Sequence, residues 1–349
     1  MSESNKRNFI VHGSILAIAG ILVRIIGMLY RIPVVNIIGS EGNGIYGAAF
    51  NIYNIMLVLS SYGLPMAVSK LVSARFTKKR YKSAAKVLRC SLMVAVCTGG
   101  IAALLVFFGA SFIENVIYGG GLPGLAIPLR ILAPTIFLVA ILGVIRGFFQ
   151  GQSTMIPTAV SQILEQIVNA IVSIAAGYGM MKAFASSPDV AAYGAAGSTL
   201  GTAMGALTAV LFMGFLYAVY TPTFNRLKRK DRHTENQSTG QICKIIIYTM
   251  IPIILGQTFY QISALIDDVM FSNIMVGRDI TKSISMDLGN FSSSYSLLIG
   301  IPQGVASAMS ASMLPSVVAS FTDRDYDSIY DKITKTCLLY TSPSPRDRT

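Results

Sequence analysis

Charge is scarce in this sequence. Only 13% of its 349 residues are Asp, Glu, Lys or Arg, where an ordinary soluble domain has about 25%. With 53% hydrophobic residues and a mean hydropathy of +0.59, that shortage excludes a soluble globular fold and marks an integral membrane protein. Cysteine and histidine are equally sparse. Cys90, Cys97, Cys243 and Cys337 have no metal-ligand spacing, and His12 and His233 have no ligating neighbours, which argues against a disulfide framework or a zinc site. Acids are outnumbered, 16 against 28 basic residues, for a net charge of +12. Such an excess can signal nucleic acid. Here the basic residues are gathered between apolar runs, so neither a nucleic-acid partner nor a cofactor is expected.

What the chain does have is long apolar runs. Lys6 and Arg7 precede the first, and Ala17-Ile18-Ala19 has the small-x-small form of a signal-peptide cleavage site. The apolar stretch continues to Val35, however, so an uncleaved first span is expected. Hydropathy gives eight spans, at 9–35, 46–72, 87–112, 125–149, 157–181, 191–220, 242–271 and 291–320. Their connections alternate in charge. Residues 70–89 carry Lys70, Arg75, Lys78, Lys79, Arg80, Lys82, Lys86 and Arg89, and residues 221–244 carry Arg226, Lys228, Arg229, Lys230, Arg232 and Lys244. Residues 36–43 have no Lys or Arg, and the other connections on that side have only Arg130, Lys182, Arg278 and Lys282. The bias toward cytoplasmic positive charge then places the N-terminus and both basic segments in the cytoplasm. These segments are first of all topology signals. Residues 78–89 also suit an amphipathic helix on anionic lipid headgroups, with Tyr81, Ala84, Ala85 and Leu88 facing the lipid.

Several spans carry polar seams. In the fifth, Gln162, Glu165, Gln166, Asn169 and Ser173 fall on one helical face. Polar groups left unpaired against lipid cost several kcal/mol each, so this face must look into protein or a wet cavity. Amides alone fit helix–helix adhesion equally well; the carboxylate of Glu165 favours a cavity. In the first span Arg24 and Arg31 are two turns apart on one face. Arg31 is near an end and has room to snorkel. Arg24 is deeper, where it needs either an anionic substrate group or an internal partner such as Glu165 or an Asp of span seven. Asn51 and Asn54 add polarity to the outer half of span two, and Gln303, Ser307 and Ser310 to span eight. Asp267 and Asp268 of span seven are possible ion-coupling groups. Adjacent acids also suggest a metal-dependent prenyl-pyrophosphate enzyme, but no third acid follows one turn on and no second acidic cluster exists, so no enzyme is expected.

Leu64-Pro65-Met66-Ala67-Val68-Ser69 is weakly repeated at Ile301-Pro302-Gln303-Gly304-Val305 with Ser307, which suggests a six-span unit restarted at span seven. The expected layout is an N-terminal lobe of six helices (1–225), a basic cytoplasmic linker (226–241) and the first two helices of a second lobe (242–337). Residues 338–349, a Pro/Ser/Arg stretch, are expected to be a non-native tail resembling translated sequencing adapter.

Arg24-Ile25-Ile26-Gly27-Met28-Leu29-Tyr30-Arg31-Ile32-Pro33, Gly42-Asn43 with Tyr46-Gly47, and Gly63-Leu64-Pro65-Met66-Ala67-Val68-Ser69-Lys70 resemble the stage V sporulation protein B-like polysaccharide transporters. So do Arg146-Gly147-Phe148-Phe149-Gln150-Gly151, Met155, Pro157-Thr158-Ala159, Ser161-Gln162 and Glu165-Gln166. That branch belongs to the multidrug/oligosaccharidyl-lipid/polysaccharide (MOP) exporters, with lipid II flippases and, further off, MATE antiporters. The resemblance implies an all-α, MATE/MOP-like membrane bundle in the bacterial cytoplasmic membrane, working by alternating access. It also implies an undecaprenyl-pyrophosphate-linked oligosaccharide as substrate, with Arg24 matching a cavity arginine that meets the pyrophosphate. Arg31 lies one residue out of register with the second such arginine. Substrate contacts are accordingly expected at Arg24, Arg31, Asn51, Asn54, Gln162, Glu165, Gln166 and Asn169, and Na+ or H+ coupling at Glu165, Asp267 and Asp268. The alternative is a drug–cation antiporter of the same superfamily. Family members carry a complete second lobe, most of which this chain is expected to lack.

Overall fold

The computed structural model describes residues 3–231, 238–278, 284–291, 325–327, 329–330 and 334. The order is α1 (Glu3–Ser60), α2 (Leu64–Thr77), α3 (Tyr81–Phe112), α4 (Ala126–Gly151), α5 (Ile156–Ala183), α6 (Val190–Lys230), α7 (Thr239–Val276) and α8 (Ile284–Phe291), and no strand occurs among the described residues. A π-helical turn, Ile113–Ile117, extends α3. Among the described residues six helical stretches are long and apolar enough to cross a membrane, so the chain is a multi-pass membrane protein. The eighth expected span, and with it Gln303, Ser307, Ser310 and the expected tail, lies outside the described residues.

The first two spans are joined differently from the expectation. In place of a loop at 36–45, α1 is continuous apart from a single break at Gly39, whose φ of 69° only glycine adopts at little cost. A straight helix of 58 residues would be about 87 Å long at 1.5 Å per residue, far more than a hydrocarbon core of about 30 Å. The break at Gly39 is what allows α1 to supply two crossings. The second crossing is itself interrupted. The chain turns at Ser61–Gly63 and resumes as α2 with Pro65 in its first turn. In an unbroken helix Pro65 would lack the N–H for the Ser61 carbonyl, whereas near a helix start that N–H has no partner to lose.

Helix α4 is the centre of the bundle. Toward one end Leu122, Leu125, Leu129, Leu132 and Ile136 pack with Ile45, Ala48, Ala49 and Ile52 of α1, Val106 of α3 and Ala195 of α6. Toward the basic end Leu142, Val144 and Phe148 pack with Val68 and Val72 of α2, Leu88 of α3, Met213 and Phe224 of α6 and Ile246 of α7. Gly143, Gly147 and Gly151 let α2 press against the α4 backbone: a Cβ on Gly147 would sit 2.6 Å from the Pro65 carbonyl oxygen, and one on Gly151 2.7 Å from Val72 Cβ. Helices α5 and α6 meet along a second glycine row, Gly194, Gly197, Gly201 and Gly205. The cysteine-poor, charge-poor composition is thus matched by packing built on small residues.

The basic segments are largely helical. Helix α6 continues past its apolar run to Lys230, and α7 starts at Thr239 with Ser238 and Gln241 forming a reciprocal capping box. The expectation of a surface helix over 78–89 needs correction: α3 begins at Tyr81 and runs straight into the bundle, with Ala84 and Leu88 buried in the core. That apolar face is directed at protein, because Leu64, Val68 and Phe148 offer it a close-packed partner. At the opposite end, both oxygens of Glu114 accept backbone N–H bonds, from Gly124 at 3.1 Å and Ala126 at 2.8 Å, and so complement the start of α4.

Candidate functional site

The fifth-span seam divides into two parts. Near the basic end, the short connector between α4 and α5 brings Arg146 beside Glu165. The guanidinium Nη2 donates to Glu165 Oε2 at 2.7 Å, and Nε donates to Ser161 Oγ at 2.9 Å. Ser161 Oγ in turn donates to the Thr158 carbonyl at 2.8 Å. Gln150, one turn beyond Arg146, reaches Thr158 Oγ1 at 3.5 Å. Arg146 and Glu165 retain only 14% and 27% of their side-chain exposure, so the pair is mostly withdrawn from solvent. Glu165 also lies within electrostatic reach of buried Tyr53 on α1.

Further along, the seam serves as adhesion. Asn169 Nδ2 donates to the Tyr30 hydroxyl at 3.3 Å, and Ser173 Oγ is 2.9 Å from Asn169 Oδ1 and 2.8 Å from the Ser198 carbonyl. These bonds tie α5 to α1 and α6. Gln162, beside Ser161, and Gln166, between the two parts, are both half-buried and both without a hydrogen bond among the described residues. A Cβ on Gly27 would lie 3.2 Å from Gln166 Nε2. Gly27 with Gln166 and Tyr30 with Asn169 share one parallel register of 139 residues. Carried one turn back, that register sets Arg24 level with Gln162 and Ile163.

Arg24 is exposed and has no ion pair among the described residues. It shares the face of α1 that carries Gly27 and Arg31. The opposite flank of α1 presents an exposed apolar stripe, Ile18, Leu22, Ile25, Leu29 and Ile32. Of the internal partners considered for Arg24, Glu165 is taken by Arg146. Arg31 lies over the ring of Tyr46, 5.9 Å from its centroid, an arrangement usually worth about 0.5–1 kcal/mol at a surface.

The span-seven acids sit deeper than a helix end. Helix α7 continues two turns past Asp268 to Val276. Asp268 is half-buried and accepts a 2.6 Å hydrogen bond from Asn51 Nδ2; Asp267 and Asn54 differ, the first exposed and the second half-buried with no hydrogen bond among the described residues. Next to this pair, Ser272 Oγ donates to the Tyr118 carbonyl and Asn273 Nδ2 to the Ile117 carbonyl, each at 2.7 Å. The Tyr118 phenol is fully buried with no hydrogen-bond partner among the described residues, and burial, with the Asp268 carboxylate nearby, pushes its ionisation upward. Asn43 Nδ2 donates to Gly289 O at 3.0 Å, and a Cβ on Gly44 would collide with the Ser285 carbonyl. Helices α7 and α8 are therefore bound to α1 and to residues 117–121 at the end away from the basic segments. Among the described residues no cluster of His, Cys, Asp or Glu could hold a metal ion.

The sequence profile of a family described as polysaccharide biosynthesis protein matches residues 10–321. The chain belongs to that family. Two curated relatives from Bacillus subtilis (strain 168) are similar along most of its length: the lipid II flippase MurJ, 28% identical over 92% of this chain and 60% of the relative, and stage V sporulation protein B, 25% identical over 89% and 58%. The chain thus spans about three-fifths of their length. Among solved structures, a MATE transporter in its straight conformation superposes with a TM-score of 0.63 at 16% identity, covering 97% of this chain and 71% of the other. An inward-facing multidrug-resistance MATE transporter of the MOP superfamily gives 0.62 at 14% identity, covering 92% and 66%. The described residues thus share the all-helical fold of these MATE transporters.

Proposed function

We propose that this protein is part of a flippase that moves an undecaprenyl-pyrophosphate-linked oligosaccharide, lipid II or a related wall precursor, across the bacterial cytoplasmic membrane by alternating access. On this reading the N-terminus and the basic segments are cytoplasmic, residues 1–225 form the first lobe, and α7 opens a second lobe beyond the basic 226–241 segment. The observation that carries the proposal is Arg24: a guanidinium well inside a membrane helix, exposed, with Glu165 already neutralised by Arg146 and Asp268 already bonded to Asn51. A planar, permanently charged group left over in that position suits a diphosphate, which it can grip through two parallel N–H bonds. Gln162, level with it, and Gln166, one turn on, make no hydrogen bond among the described residues and supply amides for sugar or phosphate oxygens. Arg31, on the same face of α1, extends that surface; Asn51, Asn54 and Asn169 are proposed as further contacts, Asn51 and Asn169 on releasing their bonds to Asp268 and Tyr30.

Such a surface lowers the barrier to transfer by replacing water around the charged head while the prenyl tail stays in lipid. Re-orientation requires two states of similar energy. Na+ or H+ binding at Glu165, Asp267 or Asp268 is the proposed bias between them. Transfer of a labelled lipid-linked oligosaccharide in proteoliposomes tests the idea. Arg24→Ala abolishes transfer and leaves membrane insertion intact; wild-type rates in that variant overturn the proposal. The similarity to MATE transporters supports a second reading, a drug–cation antiporter, in which the acids rather than Arg24 meet the substrate. In that case an organic cation competes with the labelled substrate, and Arg24→Ala is tolerated.

A further inference from the structure

The two basic segments are far apart in sequence and converge in space. The buried carboxylate of Asp231, directly after α6, accepts a 2.8 Å hydrogen bond from the backbone N–H of Lys82 at the start of α3. On the other flank of α3, Cys90 Sγ reaches the Thr239 carbonyl of α7 at 3.8 Å. The first turns of α3 are thereby walled by the end of α6 and the start of α7. Lys82, Lys86 and Arg89 fall at i, i+4 and i+7, on one face of α3. Lys82 and Arg89 are exposed and Lys86 half-buried. Arg226, Arg229 and Lys230 are exposed on the adjoining end of α6. The Asp231 carboxylate is itself buried.

Topology signalling explains positive charge in a connection. It does not call for a cationic row along the flank of a membrane helix. Arg89 stands about 10 Å along the axis from Lys82 at 1.5 Å per residue, level with span residues rather than with the connection. It lies within electrostatic reach of the half-buried phenol of Tyr217, and Tyr81 within reach of Tyr220. Phenols and a guanidinium are donors that a phosphodiester accepts from.

We propose that Lys82, Lys86 and Arg89, walled by the ends of α6 and α7, form a headgroup site for an anionic phospholipid of the surrounding leaflet. The site is separate from the seam between α1 and α5. An occupied site joins α3, α6 and α7 through one lipid, and so makes their packing sensitive to the charge of the membrane.

The detergent-solubilised full chain, titrated with phosphatidylglycerol and with phosphatidylcholine and read by native mass spectrometry, tests this. Phosphatidylglycerol binds in preference. Lys82→Gln/Lys86→Gln/Arg89→Gln weakens it by about a hundredfold, at roughly fivefold per cation. The control Lys78→Gln/Lys79→Gln/Arg80→Gln, with the same change of charge at the turn before α3, leaves it unchanged. Equal losses in the two triple variants overturn the site in favour of diffuse attraction. Displacement by inorganic phosphate at the lipid's own concentration overturns the lipid assignment. Should the α3 triple variant lose its far-UV helical signal, exposed Arg89→Gln alone carries the test, with about a fivefold loss expected and no loss refuting it.

Discussion

The Arg146–Glu165 pair makes a quantitative claim about the site. Breaking a fully buried ion pair by removing one partner costs about 3–5 kcal/mol. Here the partners keep 14% and 27% of their exposure, so residual solvation lowers the expected cost of Glu165→Gln to about 2–3 kcal/mol. Arg146→Gln also loses the 2.9 Å bond to Ser161, adding about 0.5–1.5 kcal/mol. Unfolding free energies of the single and double variants, from far-UV circular dichroism in mixed SDS–maltoside micelles, close a double-mutant cycle. The expected coupling is about 1–3 kcal/mol. The same cycle between Arg24→Gln and Glu165→Gln is additive to within about 0.5 kcal/mol, because Arg146 and not Arg24 holds the carboxylate. Additivity in the first cycle, or coupling in the second, refutes the reasoning that leaves Arg24 available to an anion.

Three further outcomes are expected. Asn51→Leu leaves Asp268 without its donor and destabilises the protein by about 1–3 kcal/mol, measured by the same titration, while Asn51→Gln recovers part of the loss. Gly201→Leu forces a side chain into Ser173 and the Asn169 carbonyl, so α5 and α6 must separate; a loss of about 1–3 kcal/mol or failure to fold is expected, against little change for Gly214→Leu, where a Cβ meets nothing. Asp231→Ala removes the side chain that caps α3 and lowers stability by about 0.5–2 kcal/mol, with Asp231→Asn closer to wild type.

Most of the architecture can be read from the runs of apolar residues, because in a membrane every backbone polar group must be satisfied within the segment and helices are the direct solution. Periodicity alone also finds the seam on α5. It does not distinguish the roles along that seam. Asn169 and Ser173 bond to neighbouring helices, Glu165 is neutralised, and Gln162 and Gln166 are left over; each outcome depends on which helix lies opposite. The breaks were hidden for a different reason. Residues 36–45 contain Gly39, Ser40, Gly42, Asn43 and Gly44, a composition that reads as a loop, yet one positive φ at Gly39 suffices and the rest stay helical. At Pro65 the apolar run is uninterrupted, and only the missing N–H marks the break.

The partner of Glu165 was within reach of the sequence. A connector of four residues, Gln152 to Met155, turns the chain back from α4 into α5, so the residues nearest to it on the two helices face one another. Residues equidistant from it then lie at one level, which pairs Gln150 with Thr158 and Arg146 with Ser161 and Glu165. Treating the deep carboxylate and the deep arginine of α1 as mutual candidates overlooked this nearer cation. The difference bears directly on function. A carboxylate whose charge is offset by Arg146 has little left for Arg24, and an arginine in a membrane helix without a carboxylate stays there at a cost of about 2.5–3.5 kcal/mol or more unless something else supplies the anion. On the proposed function, a diphosphate-bearing lipid brings that anion with it.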